Sequence, residues 1–303
     1  MVFSNPDPDA PQVLSGPVPG GSGRSAPLAD LRGAVAAVTG ASSGIGRALA
    51  IELSKLGCHL ALADVDEAGL AETVGMCEGT GVKVTSRVLD VSDREAVFAW
   101  ADEVVAEHGR VNLVVNNAGV ALGATIEQMS AEDFEWLMGI NFWGVVNGTQ
   151  AFLAHLERSG AGHVVNISSV FGLISIPTQS AYNSAKFAVR GFTDALRIEL
   201  EIADNGVSST TVHPGGIRTN IARNARVDAS VADVGAGDAD IGADFDRIAR
   251  TSPKKAARKI IAGVQHNRRR VLIGADAVAI DLISRLPARL YQGVLVRGAR
   301  RMR

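Results

Sequence analysis

The stretch Ala34-Val35-Ala36-Ala37-Val38-Thr39-Gly40-Ala41-Ser42-Ser43-Gly44-Ile45-Gly46 decides how the rest of the chain is read. Its apolar opening reads as a buried strand, which runs straight into a turn holding three glycines and then into a helix of apolar period from Ile45 to Leu56. Glycine tolerates positive φ and close backbone approach, and the free N–H groups at a helix start attract a pyrophosphate. The spacing is G-x3-G-x-G rather than the G-x-G-x-x-G of the common dinucleotide fingerprint. Taken alone, the turn serves equally as a packing device or as a phosphate cradle.

Outward from that stretch, short apolar runs alternate with longer segments of helical period. Strands are expected at Ala34 to Val38, His59 to Ala63, Val82 to Leu89, Val111 to Val115, His163 to Ile167, Val207 to Val212 and Arg270 to Ile273. Helices are expected at Ile45 to Leu56, Arg94 to Glu107, Ala131 to Leu156, Ala181 to Ala203 and Pro253 to Gln265, the last with Ser252 as cap and Pro253 at the first position. This alternation predicts the α/β class: a Rossmann-type, doubly wound, seven-stranded parallel sheet flanked by helices, in a single domain over residues 31–275.

Three segments depart from the pattern. Residues 1–30 carry Pro6, Pro8, Pro11, Pro17 and Pro19 with a cluster at Gly20, Gly21 and Gly23, the composition of a flexible extension. Residues 220–251 are rich in Ala, Gly and Asp, and so long a loop in a compact domain points to function, here a lid over substrate. Residues 276–303 mix apolar and basic positions. From residue 254 onward there are thirteen Lys and Arg against Asp276 and Asp281, a surplus of +11 in a chain whose net charge is −2. That overall balance argues against nucleic-acid binding. Cys58 and Cys77 are too few for a disulfide framework and lack metal-ligand spacing, so no metal site and a reducing, cytoplasmic location are expected. No stretch approaches the roughly 18 apolar residues of a membrane span.

Two further features bear on chemistry. Asp64 ends the second strand about 20 residues beyond the glycines, where a carboxylate accepts both hydroxyls of an adenosine ribose and repels a 2′-phosphate. With no Arg or Lys at 63–66 and a neutral Ser43, NAD is favoured over NADP, although Asp64 could also simply open a loop. Tyr182 and Lys186, four apart on an expected helix, project from one face. An ammonium beside a phenol favours the phenolate, which makes a base for an alcohol proton. A Tyr/Lys pair at this spacing is also an ordinary surface feature.

Taken together, Thr39 to Gly46, Asn116-Asn117-Ala118-Gly119 and Tyr182 with Lys186 resemble the short-chain dehydrogenase/reductase family, with its TGxxxGxG turn, NNAG segment and YxxxK pair preceded by a serine. The resemblance covers residues 33–275. It implies Ser169 as the serine that bonds the substrate oxygen, with Ser168 the lesser candidate, and Asn141 as the holder of a relay water. It further implies a cofactor site of Gly40, Ser42, Ser43, Gly44, Ile45, Gly46, Asp64, Asp90, Val91, Asn117, Gly119, Tyr182, Lys186, Pro214, Ile217 and Thr219. Ile217 and Thr219 are expected to meet the carboxamide.

The resulting expectation is an NAD-dependent oxidoreductase that interconverts a hydrophobic secondary alcohol and its ketone, with Tyr182 as general base or acid. The rivals are an NADP-dependent carbonyl reductase and a non-catalytic dinucleotide-binding scaffold. Apolar pocket walls are expected from Val120, Ala121, Phe142, Trp143, Val170, Phe171 and Ile176, with Gln179. The resemblance also implies a homodimer or homotetramer. For the basic tail, covering the chain's own pocket or a partner subunit is preferred to peripheral membrane contact, because Pro287 and Gly293 interrupt any long stripe.

Overall fold

The computed structural model of the chain describes residues 28–234 and 249–302. In chain order the strands are β1 (Val35–Thr39), β2 (His59–Asp64), β3 (Val84–Val88), β4 (Leu113–Asn116), β5 (Leu122–Gly123), β6 (Gly162–Ile167), β7 (Val207–Pro214), β8 (Arg226–Val227) and β9 (Arg270–Ile273). The helices are α1 (Gly44–Lys55), α2 (Glu67–Cys77), α3 (Arg94–His108), α4 (Ala131–Met138), α5 (Gly144–Arg158), α6 (Ser180–Ala203), α7 (Pro253–Gln265), α8 (Ala275–Ile283) and α9 (Ala288–Met302). Seven strands form one sheet in the order β3-β2-β1-β4-β6-β7-β9, and every adjacent pair is parallel. The Rossmann-type arrangement is therefore present, with its reversal of direction between β1 and β4.

The alternation of side chains along a strand explains the two layers. Ala36 and Val38 of β1, with Leu60 and Leu62 of β2, face a cluster completed by Leu49 and Leu53 of α1 and Ile260 and Val264 of α7. Val35, Ala37, Ala61 and Ala63 face the opposite layer, with Trp100 of α3, Phe152 of α5 and Leu196 of α6. Trp100 and Phe152 meet edge-on at 5.2 Å. Leu28 and Leu31 are buried in the first layer, so the last residues of the expected 1–30 extension pack with the domain.

The helix starts follow capping chemistry. Asp93 accepts from Ala96 N at 3.0 Å, and Ser130 from Asp133 N at 3.0 Å. Ser252 accepts from Lys255 N at 3.3 Å, with Pro253 at the first position. Several elements differ from the sequence expectation. Helix α2, which follows Asp66 with its side chain accepting from Gly69 N at 3.1 Å, is not among the expected helices, nor are β5 and β8 among the expected strands. The single helix expected from Ala131 to Leu156 is α4, a π-helical turn at Gly139–Trp143 and then α5. That turn carries Asn141, in keeping with the tendency of π-bulges to sit at functional positions.

The expected lid begins as ordered structure. Strand β8 pairs in parallel with β5, Arg226 lies 3.6 Å over the Trp136 ring, and its Nη1 meets Asp133 Oδ1 at 2.8 Å. Residues 235–248, with the aspartates at 238, 240, 244 and 246, lie outside the described residues, as do residues 1–27 of the expected extension. No described helix is long and apolar enough to cross a membrane.

Candidate active site

The carboxyl ends of parallel strands place Thr39, Asp64, Asn116, Ile167 and Pro214 along one edge of the sheet, where open α/β sheets bind ligands. After β1 the chain turns at Gly40, with φ of +66°, and at Gly44, with φ of +53°. A Cβ on Gly46 would lie 1.9 Å from Gly40 O, and one on Gly40 would lie 2.7 Å from Asn117 Nδ2. Asn117 fixes this turn, donating through Nδ2 to Thr39 O at 2.9 Å and to Gly40 O at 3.1 Å. The Thr39 hydroxyl accepts from Asn117 N at 3.0 Å and Ala118 N at 3.1 Å, so the turns after β1 and β4 are locked together.

Helix α1 starts at this bend. Its N-cap, Ser43, is extended and exposed, makes no side-chain cap, and no acidic residue occupies the first turn. The N–H groups and positive dipole end are thus presented without an internal carboxylate, a surface suited to a pyrophosphate. Ile45 lies half-buried behind it against the first core layer. Thr219 approaches from the far side, its Cγ2 3.1 Å from where a Gly44 Cβ would stand. Pro214, at the end of β7, is buried, and the Ile217 side chain belongs to the first core layer, leaving its main chain to face a ligand.

At the end of β2, Asp64 Oδ2 accepts from Ser42 N at 2.8 Å and Oδ1 from Asp66 N at 3.0 Å. The carboxylate is therefore oriented by main-chain donors. Arg47, on the first turn of α1, makes no ion pair with it. Its guanidinium contacts Ser42 O, donates to Gly69 O at 3.1 Å and pairs with Glu72 at 2.9 Å, while Nε reaches Thr73 Oγ1 at 3.0 Å. Asp90 is exposed and accepts from Ser92 N at 2.8 Å, and Val91 beside it is buried against the position a Gly144 Cβ would take.

The reaction end brings four residues together. Ser169 stands close enough to Tyr182 for its hydroxyl to favour the phenolate, and its Oγ accepts from Phe171 N at 3.1 Å. Lys186 Nζ lies 5.5 Å from the centre of the Tyr182 ring and donates to Ile167 O at 3.1 Å. A Cβ on Gly119 would stand 3.2 Å from Asn141 Oδ1 and 3.6 Å from Lys186 Nζ, so these two residues meet around the glycine. Ser168 is turned away, its Oγ donating to Lys186 O at 2.8 Å. Phe171 packs edge-on to Tyr182 at 6.1 Å.

Two findings revise expectation. Asn141 donates to Val120 O at 2.9 Å and accepts from Val120 N at 2.8 Å, so its amide first shapes the turn after β4. A relay water has only the second amide hydrogen and the second lone pair to use. Burial also sets the direction of shift at both groups. It pushes Tyr182 up to about 12, against the smaller opposing effect of the Ser169 hydrogen bond, and pushes Lys186 down to about 8.

Sequence reasoning missed His213. It is buried on β7, and its ring Nδ1 lies 2.9 Å from the carbonyl of Ser169, which makes Nδ1–H the donor. Burial pushes it down to about 4, so it stays neutral. The only signal was a histidine directly after the strand expected at Val207 to Val212. A cavity of about 440 Å³ is lined by Ile126, Ile176, Pro177, Asn183, Ser184 and Phe187 among others. On α6, Asn183, Ser184 and Phe187 lie on a face turned from Tyr182 and Lys186, so this cavity is beside the reaction centre rather than at it.

Comparison with known proteins agrees with this geometry. A family model described as short chain dehydrogenase matches residues 34–230. The chain is 50% identical over 272 residues to oxidoreductase SadH of Mycobacterium tuberculosis, covering 89% of this chain and 97% of that protein. It is similar to a short-chain dehydrogenase/reductase from Burkholderia phymatum solved in complex with NAD, with TM-score 0.78, 31% identity and coverage of 87% and 95% of the two chains. An alcohol dehydrogenase from Thermococcus sibiricus complexed with 5-hydroxy-NADP is similar with TM-score 0.63 and 28% identity, covering 76% of this chain and 89% of that one. The matched range includes both the glycine turn and the helix that carries Tyr182 and Lys186, and the chain belongs to the short-chain dehydrogenase/reductase family of oxidoreductases.

Proposed function

We propose that this oxidoreductase uses NAD to interconvert a hydrophobic secondary alcohol and its ketone, with Tyr182 transferring the hydroxyl proton. The observation that carries the reading is the meeting of Ser169, Tyr182, Lys186 and Asn141 at the carboxyl edge of the sheet, next to the glycine turn. A dinucleotide held by the Gly40–Gly46 turn, Asp64, Asp90, Asn117 and the 214–219 segment supplies the hydride acceptor for oxidation and the donor for reduction. Tyr182 Oη takes the proton from the alcohol, or returns it to the ketone. Ser169 Oγ, which accepts from Phe171 N, has one O–H, and substrate binding turns it from Tyr182 to the substrate oxygen. The Lys186 charge opposes the cost of a buried phenolate, and Asn141 holds the Val120 turn that walls the site.

Asp64, oriented at the ribose position, supports NAD over NADP, and so does the engagement of Arg47 by four protein groups. Apolar Val170 and Phe171 beside Tyr182 support a hydrophobic substrate. For assembly we read a homodimer or homotetramer built through α5 and α6, supported by the exposed Phe187, Ile198 and Ile202. The buried free thiols of Cys58 and Cys77 suit a cytoplasmic, reducing setting.

The decisive experiment replaces Tyr182→Phe and follows NADH formation on a panel of steroid, aliphatic and polyol secondary alcohols. Turnover is expected to fall by about 10³-fold or more while NAD affinity stays within a few-fold. Retained turnover removes Tyr182 as the proton-transferring group. Titrating NAD against NADP on the unmodified protein tests the coenzyme, and tighter NADP binding would favour the carbonyl-reductase reading.

A further inference from the structure

We propose that α9, together with the outward face of α8, is an anchor that lies on an anionic lipid bilayer. Helix α8 buries Ala277 and Asp281 against the domain but turns Val278 and Leu282 to solvent at 46% and 61% exposure. The interval of four continues beyond it with Leu286, Leu290 and Val294, exposed at 52%, 51% and 66%. From Arg285 to Arg300 no described residue is buried, so this segment does not cover the chain's own cleft. Gly293 lies within α9 and does not interrupt it; residues 284–287, ending in Pro287, separate the two helices.

A 15-residue helix that buries nothing is marginal in water, so its amphipathic pattern implies a surface that completes it. Around α9, Tyr291, Val294 and Leu295 share one side, whereas Arg289, Arg297 and Arg300 share the other. The charge identifies the surface. From Leu282 to the last residue the sequence holds six arginines and no acidic residue. Arg285 is held by Asp281 at 2.7 Å, and Arg289, Arg297 and Arg300 make no ion pair among the described residues. A specific protein contact uses charges of both signs to fix register, whereas charge of one sign beside an aliphatic stripe matches a surface that is uniformly anionic and apolar beneath. Nothing in the helix is long enough to span such a layer, so it lies in the interface.

The test is sedimentation of the full-length protein with phosphatidylcholine vesicles, with and without about one third phosphatidylglycerol, at low and high salt, beside analytical ultracentrifugation. The protein is expected to co-sediment with the anionic vesicles only, about tenfold or more above the neutral ones, and to be released by salt. Leu290→Glu with Val294→Glu is expected to abolish co-sedimentation, and Arg289→Ala with Arg297→Ala to weaken it. All four positions are exposed, and an unchanged melting temperature and NAD titration show that each variant folds. Equal binding to neutral vesicles, or no binding to either, overturns the proposal. Dissociation of an oligomer by the Leu290/Val294 variant without any vesicle binding also overturns it and assigns the helix to a second copy of the chain.

Discussion

Around Gly40, Gly44 and Gly46 the cleft wall is main chain from which side chains have been left out, whereas around Ser169, Tyr182 and Lys186 it is polar side chains driven into the protein. The first half is set by close packing, because an added carbon meets Asn117 at Gly40, Thr219 at Gly44 and the Gly40 carbonyl at Gly46. The second half holds groups whose charged forms burial disfavours, so its chemistry is set by electrostatics. Substitutions in the first half should therefore damage fold and coenzyme affinity together, and those in the second should damage turnover while sparing both.

The largest effect that tests this division is Gly46→Ala. A Cβ placed 1.9 Å from Gly40 O has nowhere to go without moving the turn. The variant is expected to lose NAD binding by about 100-fold or more and to cost about 3 kcal/mol of stability, read by NAD titration and thermal melting. Near-normal affinity would show that the turn is not the cradle.

Lys186→Met makes the opposite prediction. Because Lys186 titrates at about 8 rather than 10.5, the folded state binds fewer protons than the unfolded between those values, and stability rises with pH across that window. Below about pH 8 the full penalty of a buried cation is present, roughly 3 kcal/mol. Turnover should collapse by about 100-fold or more in this variant, while its melting temperature at pH 7 rises and the stability slope between pH 8 and 10 disappears. Lower stability at pH 7 would mean that the hydrogen bond to Ile167 O outweighs the burial cost.

Asp64→Ala should act only on the nucleotide half. NAD affinity is expected to fall by about tenfold and the preference over NADP by about 10- to 100-fold, with kcat at saturating coenzyme altered little. An unchanged preference would leave Asp64 as a holder of Ser42 N and no more. The smallest effect is expected at Gly75→Ala on α2, where an added Cβ meets nothing within 4 Å. A gain of about 0.5–1 kcal/mol with unchanged NAD affinity would show that glycine matters in this protein by position, not by type.

Much of this division was legible in the sequence. The central runs read as strands because β1, β4 and β6 are buried on both faces, whereas β3 at the sheet edge, Val-Thr-Ser-Arg-Val, buries no residue fully. The Tyr182/Lys186 face was readable because helical spacing alone brings the two together. Helix α2 was not, since it buries only four residues and its start, Asp66-Glu67, resembles a loop as much as a cap. The π turn at Gly139–Trp143 carries no local signature and is held from outside, by the clasp between Asn141 and Val120. His213 was hidden for a similar reason: its partner is a carbonyl 44 residues away, and a strand histidine announces nothing about where its ring donates.

Gly215 and Gly216 leave room for a carboxylate as well as for a ligand. Asp276, in the first turn of α8, accepts from Gly216 N at 2.6 Å and would collide with any Cβ on Gly215. Thr251 grips the same short segment from another side, its N donating to Gly216 O and its O accepting from Arg218 N. The strip that ends at Thr219, against the glycine bend, is therefore clamped by the root of the tail. A load taken up by α8 is delivered, through one carboxylate, to the rim where the coenzyme's phosphates would rest.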